Sequence, residues 1–175
     1  MPCVLTGSQA LDCKDSIGGI YEIKFKVHPG LSVIETDFTI SSGSVTAIVA
    51  GSSRSSWYTY SLEKETAFAK DDPQASAATG TLFFDQEVKI ILNKLSARLG
   101  HEMRLLGQNR LLVAIRDMNG NRFLLGLKYA MDMVPGTSGT GTARGDRSGY
   151  ELTFKGREDL QMQFITTAIY DTLVT

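Results

Sequence analysis

The chain is predicted to be mainly β within the α+β class, an antiparallel β-sandwich or barrel with one flanking amphipathic helix. Three observations predict this. Several segments alternate apolar and polar residues with a period of two. One stretch switches to a period of three to four. Strands and helices do not alternate along the chain, as a parallel nucleotide-binding sheet would require.

The first strand is read over residues 20–27, where Tyr21, Ile23, Phe25 and Val27 alternate with Glu22, Lys24 and Lys26, giving one buried and one wet face. Gly18 and Gly19 turn the chain into it, and His28-Pro29-Gly30 ends it. Residues 38–50 carry a turn at Ser41 to Ser44 and a short β-prone run at 45–49; residues 51–56 form a flexible connection. A β-like stretch opens at Trp57 and reaches Phe68, residues 70–80 break it, and residues 82–92 resume it with Val88, Ile90 and Leu92 on one face. Together these read as an extended hairpin with a small-residue, proline-containing tip.

Over residues 93–107, Leu95, Leu99, Met103 and Leu106 recur at helical spacing against Lys94, Arg98, Glu102 and Arg104. Asn93 or Ser96 caps the start, while Gly107 with Asn109 stops the helix. Residues 110–117 and 122–131 are β-rich arms around Asn119-Gly120, a hairpin signal that predicts a type I′ turn with positive φ at both central positions. The glycine- and threonine-rich run over 136–150 is read as a long mobile connection, followed by a strong strand over 150–155. Residues 164–175 read as either a strand or a frayed tail.

At 175 residues the chain is long enough for one domain with a real core, here taken as residues 1–175 with a flexible N-terminal segment and extended loops. Eighteen Lys and Arg against 19 Asp and Glu are spread along the sequence, which lacks the basic patch of a duplex-binding protein. No apolar run approaches the ~20 residues of a membrane span, and the N-terminus does not read as a secretion signal, so assembly in the cytoplasm is expected. Cys3 and Cys13 are spaced so that a disulfide is conceivable, but a cytosolic origin favours free thiols.

Candidate chemistry is sparse. The 136–150 run lacks the Gly-Lys-Ser/Thr and the following helix that a phosphate-binding loop needs. Arg144-Gly145-Asp146 matches an adhesion triplet without the extracellular context. His28 and His101 have no Gly-x-Ser-x-Gly elbow beside them, Gly43-Ser44 included, and His101 is read as solvent-facing. Glu63 and Glu65 would share one strand face; Asp71 and Asp72 sit at a turn. Residues 117–121 lack the later Glu and flanking helices of a calcium loop. No catalytic residue, cofactor or metal is expected. Trp57, Tyr58 and Tyr60 are read as core or interface, with an aromatic platform for a glycan as the alternative.

Leu11-Asp-Cys-Lys-Asp-Ser-Ile-Gly-Gly-Ile-Tyr-Glu-Ile23, the helix after a long hairpin, Asp117-Met-Asn-Gly-Asn-Arg-Phe-Leu-Leu-Gly126, and the Gly/Thr-rich loop running into Gly149-Tyr-Glu-Leu-Thr-Phe-Lys-Gly156 together resemble a family of tailed-phage virion proteins. The family is the tail-tube-like one of phages and prophages of Bacteroidetes-type bacteria. The resemblance covers most of the chain, residues 32–56 least. It implies a subunit of stacked, commonly hexameric rings that form a tube in the virion tail. Its partners would be further copies of itself, other tail proteins, and DNA that passes without sequence-specific binding; no membrane is implied. A tail terminator, neck or capsid-decorating protein is the alternative within that class, and an adhesion or carbohydrate-binding module the alternative outside it. The candidate assembly loops carry Asp71, Asp72 and Pro73 in one and Arg144, Asp146 and Arg147 in the other. Deleting residues 138–148 is expected to spare the monomer and impair assembly.

Overall fold

The computed structural model describes Gly7, residues 14–48 and residues 54–174. Cys3, Cys13, Val49 and the first part of the predicted connection, residues 51–53, lie outside the described residues.

In chain order the elements are β1 (Ile20–Val27), α1 (Leu31–Asp37), β2 (Phe38–Ser41), β3 (Ser44–Ile48), β4 (Tyr58–Ser61), β5 (Ala67–Ser76), β6 (Thr81–Asn93), α2 (Ala97–Gln108), β7 (Leu111–Asp117), β8 (Arg122–Leu125), β9 (Asp132–Gly139), β10 (Gly149–Glu158), β11 (Gln163–Ile165) and α3 (Thr167–Asp171). They form a seven-stranded sheet in the order β2-β3-β11-β8-β7-β1-β4 and a four-stranded sheet in the order β5-β6-β10-β9. Neither sheet closes into a barrel, so the architecture is a sandwich. Pairing is antiparallel apart from β11 on β3, which run parallel.

The main core lies between the sheets. Ile20, Ile23, Phe25, Val113, Ile115 and Leu125 from the larger sheet meet Val88, Ile90, Leu152 and Phe154 from the smaller, and Met103 and Leu106 of α2 close one end. Burying each of these side chains contributes about 1.5–3 kcal/mol. The strands of the two sheets cross. The C-terminal end of β6 lies beside β4, whereas Gln86, at its middle, accepts from Gly126 N at 2.9 Å and donates to Leu160 O at 3.2 Å, past β8.

The other face of the larger sheet carries a second core, in which Leu112, Ala114 and Leu124 pack with Ile34, Trp57, Tyr170 and Leu173. Residues 111–115 are therefore all buried, with no wet face. This second layer corrects two expectations. The C-terminal segment, read as either a strand or a frayed tail, is strand only as far as Ile165 and then forms α3, with Tyr170 and Leu173 each 2% exposed. Likewise, β1 lacks the wet face that alternation assigns to it. Lys24 is buried, its Nζ donating to Tyr170 O and Leu173 O at 3.3 and 3.0 Å, and Lys26 is buried too, its Nζ donating to Ser55 O. A bulge opposite Arg116–Asp117 also shifts the phase of β1, so Ile20 points inward and Tyr21 outward, against the predicted alternation.

Helix α2 lies within the stretch of helical periodicity but begins only at Ala97: Asn93 ends β6, and Leu95, exposed, precedes the helix. Ser96 is its cap, accepting from Leu99 N at 3.1 Å, and the Asn109 side chain donates to Leu105 O at the other end. The β7–β8 hairpin also forms, but Gly120 (φ 86°) is the only residue of residues 118–120 with positive φ. Gly120 N donates to Asp117 O and Asp117 N to Asn121 O, so a three-residue loop with a glycine bulge replaces the expected type I′ turn.

The stretch read as one strand from Trp57 to Phe68 is two. β4 belongs to the larger sheet and β5 to the smaller, joined by residues 62–66 with Glu65 at φ 60°. Glu63 and Glu65 are exposed on this connection and do not share a strand face. No helix among the described residues is long and apolar enough to cross a membrane.

Candidate functional site

The four-stranded sheet holds both candidate assembly segments, and it places them at opposite ends. β5 pairs with β6 from Ala67↔Ile90 without interruption to Ser76↔Thr81. The predicted break over residues 70–80 is thus confined to residues 77–80. Pro73 lies within the strand because β5 is an edge, where a missing N–H costs no ladder bond. The last rung of β10 on β6 is Glu158↔Phe84. Pro73 pairs with Phe84 at that rung; beyond it β5 and β6 pair only with each other, and the overhang exposes Gln74, Ala75, Thr81 and Leu82, the last at 58%. A bare two-stranded hairpin is marginal in water.

Asp71 and Asp72 therefore stand in a strand rather than a turn, and on opposite faces of it. Asp71 points inward, where its Oδ2 accepts from Met162 N at 2.7 Å while Oδ1 is buried without a partner. Burial pushes its carboxyl above the ordinary range, against the amide bond that favours the anion. It ties the two sheets together and is not presented to a neighbour. Asp72 points outward and pairs with Lys70 at 2.8 Å.

The other tip lies at the opposite end of β6, about 40 Å away at ~3.3 Å per residue over 13 residues. β9 and β10 pair as far as Gly139↔Gly149, so Ser138 and Gly139 are strand and the connection is shorter than the sequence suggests, residues 140–148. Glycine is required where these strands crowd: a Cβ on Gly136 would meet Glu151 O at 2.5 Å, backbone that cannot swing aside. In the tip, Asp146 accepts from Ala143 N at 2.7 Å and Thr142 N at 2.8 Å. These two amides hold its carboxyl below the ordinary range. The Arg-Gly-Asp carboxylate is thereby used by its own turn. Arg147 pairs with Glu151, which also takes Lys89, and Arg144 is exposed.

Between the tips the outer face of this sheet is a lattice of paired charges. Lys70 and Lys155 flank Glu87 at 3.3 and 3.2 Å, Arg157 meets Asp85 at 2.9 Å, and Lys89 meets Glu151 at 2.6 Å. Hydrogen bonds from Lys89 and Arg147 hold the Glu151 carboxyl below the ordinary range. Exposed pairs of this kind add little stability but leave few cations free for a polyanion.

The residues weighed for catalysis have structural positions. His28 accepts from Gly30 N at Nδ1, which leaves its Nε2 proton to donate to Leu127 O at 3.0 Å. His101 is exposed on α2, as expected. Asp117 accepts from Asn121 N at 2.7 Å and so fastens its own hairpin. Among the described residues no group of three His, Cys, Asp or Glu is placed to hold a metal. Trp57 is fully buried in the second core and cannot join Tyr58 and Tyr60 in a surface platform. Tyr58, half exposed, lines an open groove of about 830 Å³ with Tyr60, Arg98 and Glu102, between β4 and α2.

Sequence reasoning missed Glu158. It is buried, and its two oxygens accept from Tyr129 N at 2.8 Å and Lys128 N at 3.0 Å, holding residues 128–129 to the end of β10. Nothing in its sequence neighbourhood signals this, since both partners lie about thirty residues away. Compared with family models, curated proteins and solved structures, the chain shows no match to any of them.

Proposed function

We propose that the chain is a virion structural protein, a phage tail tube subunit whose copies form rings that stack into a conduit for DNA. The observation that carries this reading is the overhanging β5–β6 hairpin, exposed on both faces and ending in Leu82 beside a tip of small residues. A second copy would supply the partner that this chain does not. The open edges β5 and β9 agree with it, because each presents a strand that lateral pairing with a neighbour would cover. The opposed positions of the two hairpin tips suit head-to-tail stacking, in which one end of a subunit meets the other end of the next. The charge lattice suits a surface along which DNA slides without being held.

The test is negative-stain microscopy of the purified protein across a concentration series, with light scattering for mass. Rings or hollow tubes that grow with concentration are the expected result. A monomer that persists at the highest concentration would remove the self-assembly reading.

A further inference from the structure

On the face of the seven-stranded sheet away from the main core, the register places Glu22, Arg116 and Arg122 side by side across β1, β7 and β8. Opposed like charges on neighbouring strands, about 4.5–5.5 Å apart at Cβ, repel. This pair is poorly neutralised. Neither guanidinium has an ion-pair partner among the described residues. The nearby carboxylate of Glu22 accepts instead from the Tyr170 hydroxyl at 2.9 Å. Lys24, on the same face, adds a third cation, with its Nζ 4.3 Å from the centre of the Tyr170 ring.

One donor of each arginine is desolvated and unused. The Nε atoms of Arg116 and Arg122 are both buried without a hydrogen-bond partner. Arg122 spends Nη1 on Gly120 O at 2.8 Å and lies 5.6 Å from the Tyr170 ring centre. Arg116 makes no hydrogen bond among the described residues; its guanidinium lies over the Tyr21 ring at 5.1 Å. The β1 bulge produces that contact by turning Tyr21 to the Arg116 side. Two aromatic rings thus brace two forks that form no ion pair among the described residues, with Glu22 the nearby carboxylate.

We propose that Arg116 and Arg122 form a binding site for a small oxyanion, phosphate or carboxylate, seated between the guanidinium groups. With both Nε atoms buried and Arg122 Nη1 spent on Gly120 O, the donors left to the anion are the Nη groups of Arg116 and Nη2 of Arg122, and one anion bridging the two cations converts their repulsion into attraction. The site lies on the larger sheet, apart from the hairpin tips and the charge lattice, and does not depend on self-assembly.

The probe is inorganic phosphate, titrated into the full chain against sodium chloride at equal ionic strength, with acetate as the carboxylate arm. Expected are a saturable rise in Tm, roughly 5–10 °C at about a hundred times the Kd, and saturable shifts of the Arg116 and Arg122 Nε–H resonances with the same midpoint. Arg116→Gln and Arg122→Gln should each abolish the Tm response. A response to acetate but not phosphate assigns a carboxylate to the same seat. No saturable response to either anion, or an undiminished one in both variants, overturns the site. If the variants do not fold, the Nε–H titration of the unaltered protein decides alone.

Discussion

Glu158 shows how one buried acid ties a long connection to a strand and makes stability depend on pH. Burial raises its carboxyl above the ordinary 4.5, more than the amides of Tyr129 and Lys128 lower it. The folded protein then keeps this proton to higher pH than the unfolded chain does. The Glu158 contribution is therefore greatest below the ordinary value and is lost as pH rises through the raised one. In chemical denaturation between pH 4 and 8, Glu158→Gln should flatten that slope, since the neutral amide cannot titrate. An unchanged slope would show that Glu158 is not its source. Glu158→Ala, which leaves two amides without their acceptor, should cost at least about 1–3 kcal/mol at every pH. Residue-scale features were legible only where they follow local pattern. Ser96 as a cap was, because Ser before a periodic apolar stretch is a local signal. The Arg116–Arg122 pair was not, because the expected two-residue Asn119-Gly120 turn would set Arg122 opposite Asp117, and only the three-residue loop brings it opposite Arg116. Glu158 and Lys24 were not, because their partners are fixed by tertiary contacts across 29 and more residues.

At the scale of elements, the β9–β10 hairpin separates what holds the monomer from what projects beyond it. Ladder pairing ends at Gly139↔Gly149, so removing residues 138–148 would cut into the strands; residues 140–148 are the removable part. Replacing them with Asn-Gly gives a two-residue hairpin turn and a shorter loop to close. The replacement loses the bond from Lys94 N to Ser148 O and the exposed Arg147–Glu151 pair. Folding stability should stay within about 1 kcal/mol of the parent, while ring or tube formation falls if this tip contacts the next subunit. A collapse of thermal unfolding in the variant would place the tip in the core instead. Strong alternation or helical period made β6, β10, α2 and the β7–β8 hairpin readable. β5 was misread because Pro73 signals a break unless its strand is known to be an edge, and edge position belongs to the sheet. α3 had a signal that could have found it: Thr166 in a capping position, then Ile169, Tyr170 and Leu173 at helical spacing.

For the whole molecule, the second core decides how far alternation could be trusted. With both faces covered, the central strands of the larger sheet read as apolar runs, and two lysines of β1 lie buried. The smaller sheet has one wet face, and there alternation placed Glu87 and Lys89 opposite Val88 and Ile90 correctly. It is also the sheet whose hairpin runs past its neighbours, which makes Leu82 the sharpest probe of the assembly reading. Leu82 is 58% exposed and pairs across to Ala75 in the unsupported part of the hairpin. Leu82→Asp should therefore change folding stability by no more than about 0.5 kcal/mol. If a second copy buries this side chain, its removal forfeits about 1.5–3 kcal/mol per contact, and the charge adds a desolvation cost. The concentration at which rings or tubes appear should then rise roughly 10- to 100-fold, with the Tm of the monomer unchanged. Light scattering and microscopy on the variant and parent at matched concentrations separate the outcomes. Assembly at the parent's concentration would leave the overhang outside any interface and remove the observation on which the tail tube reading rests.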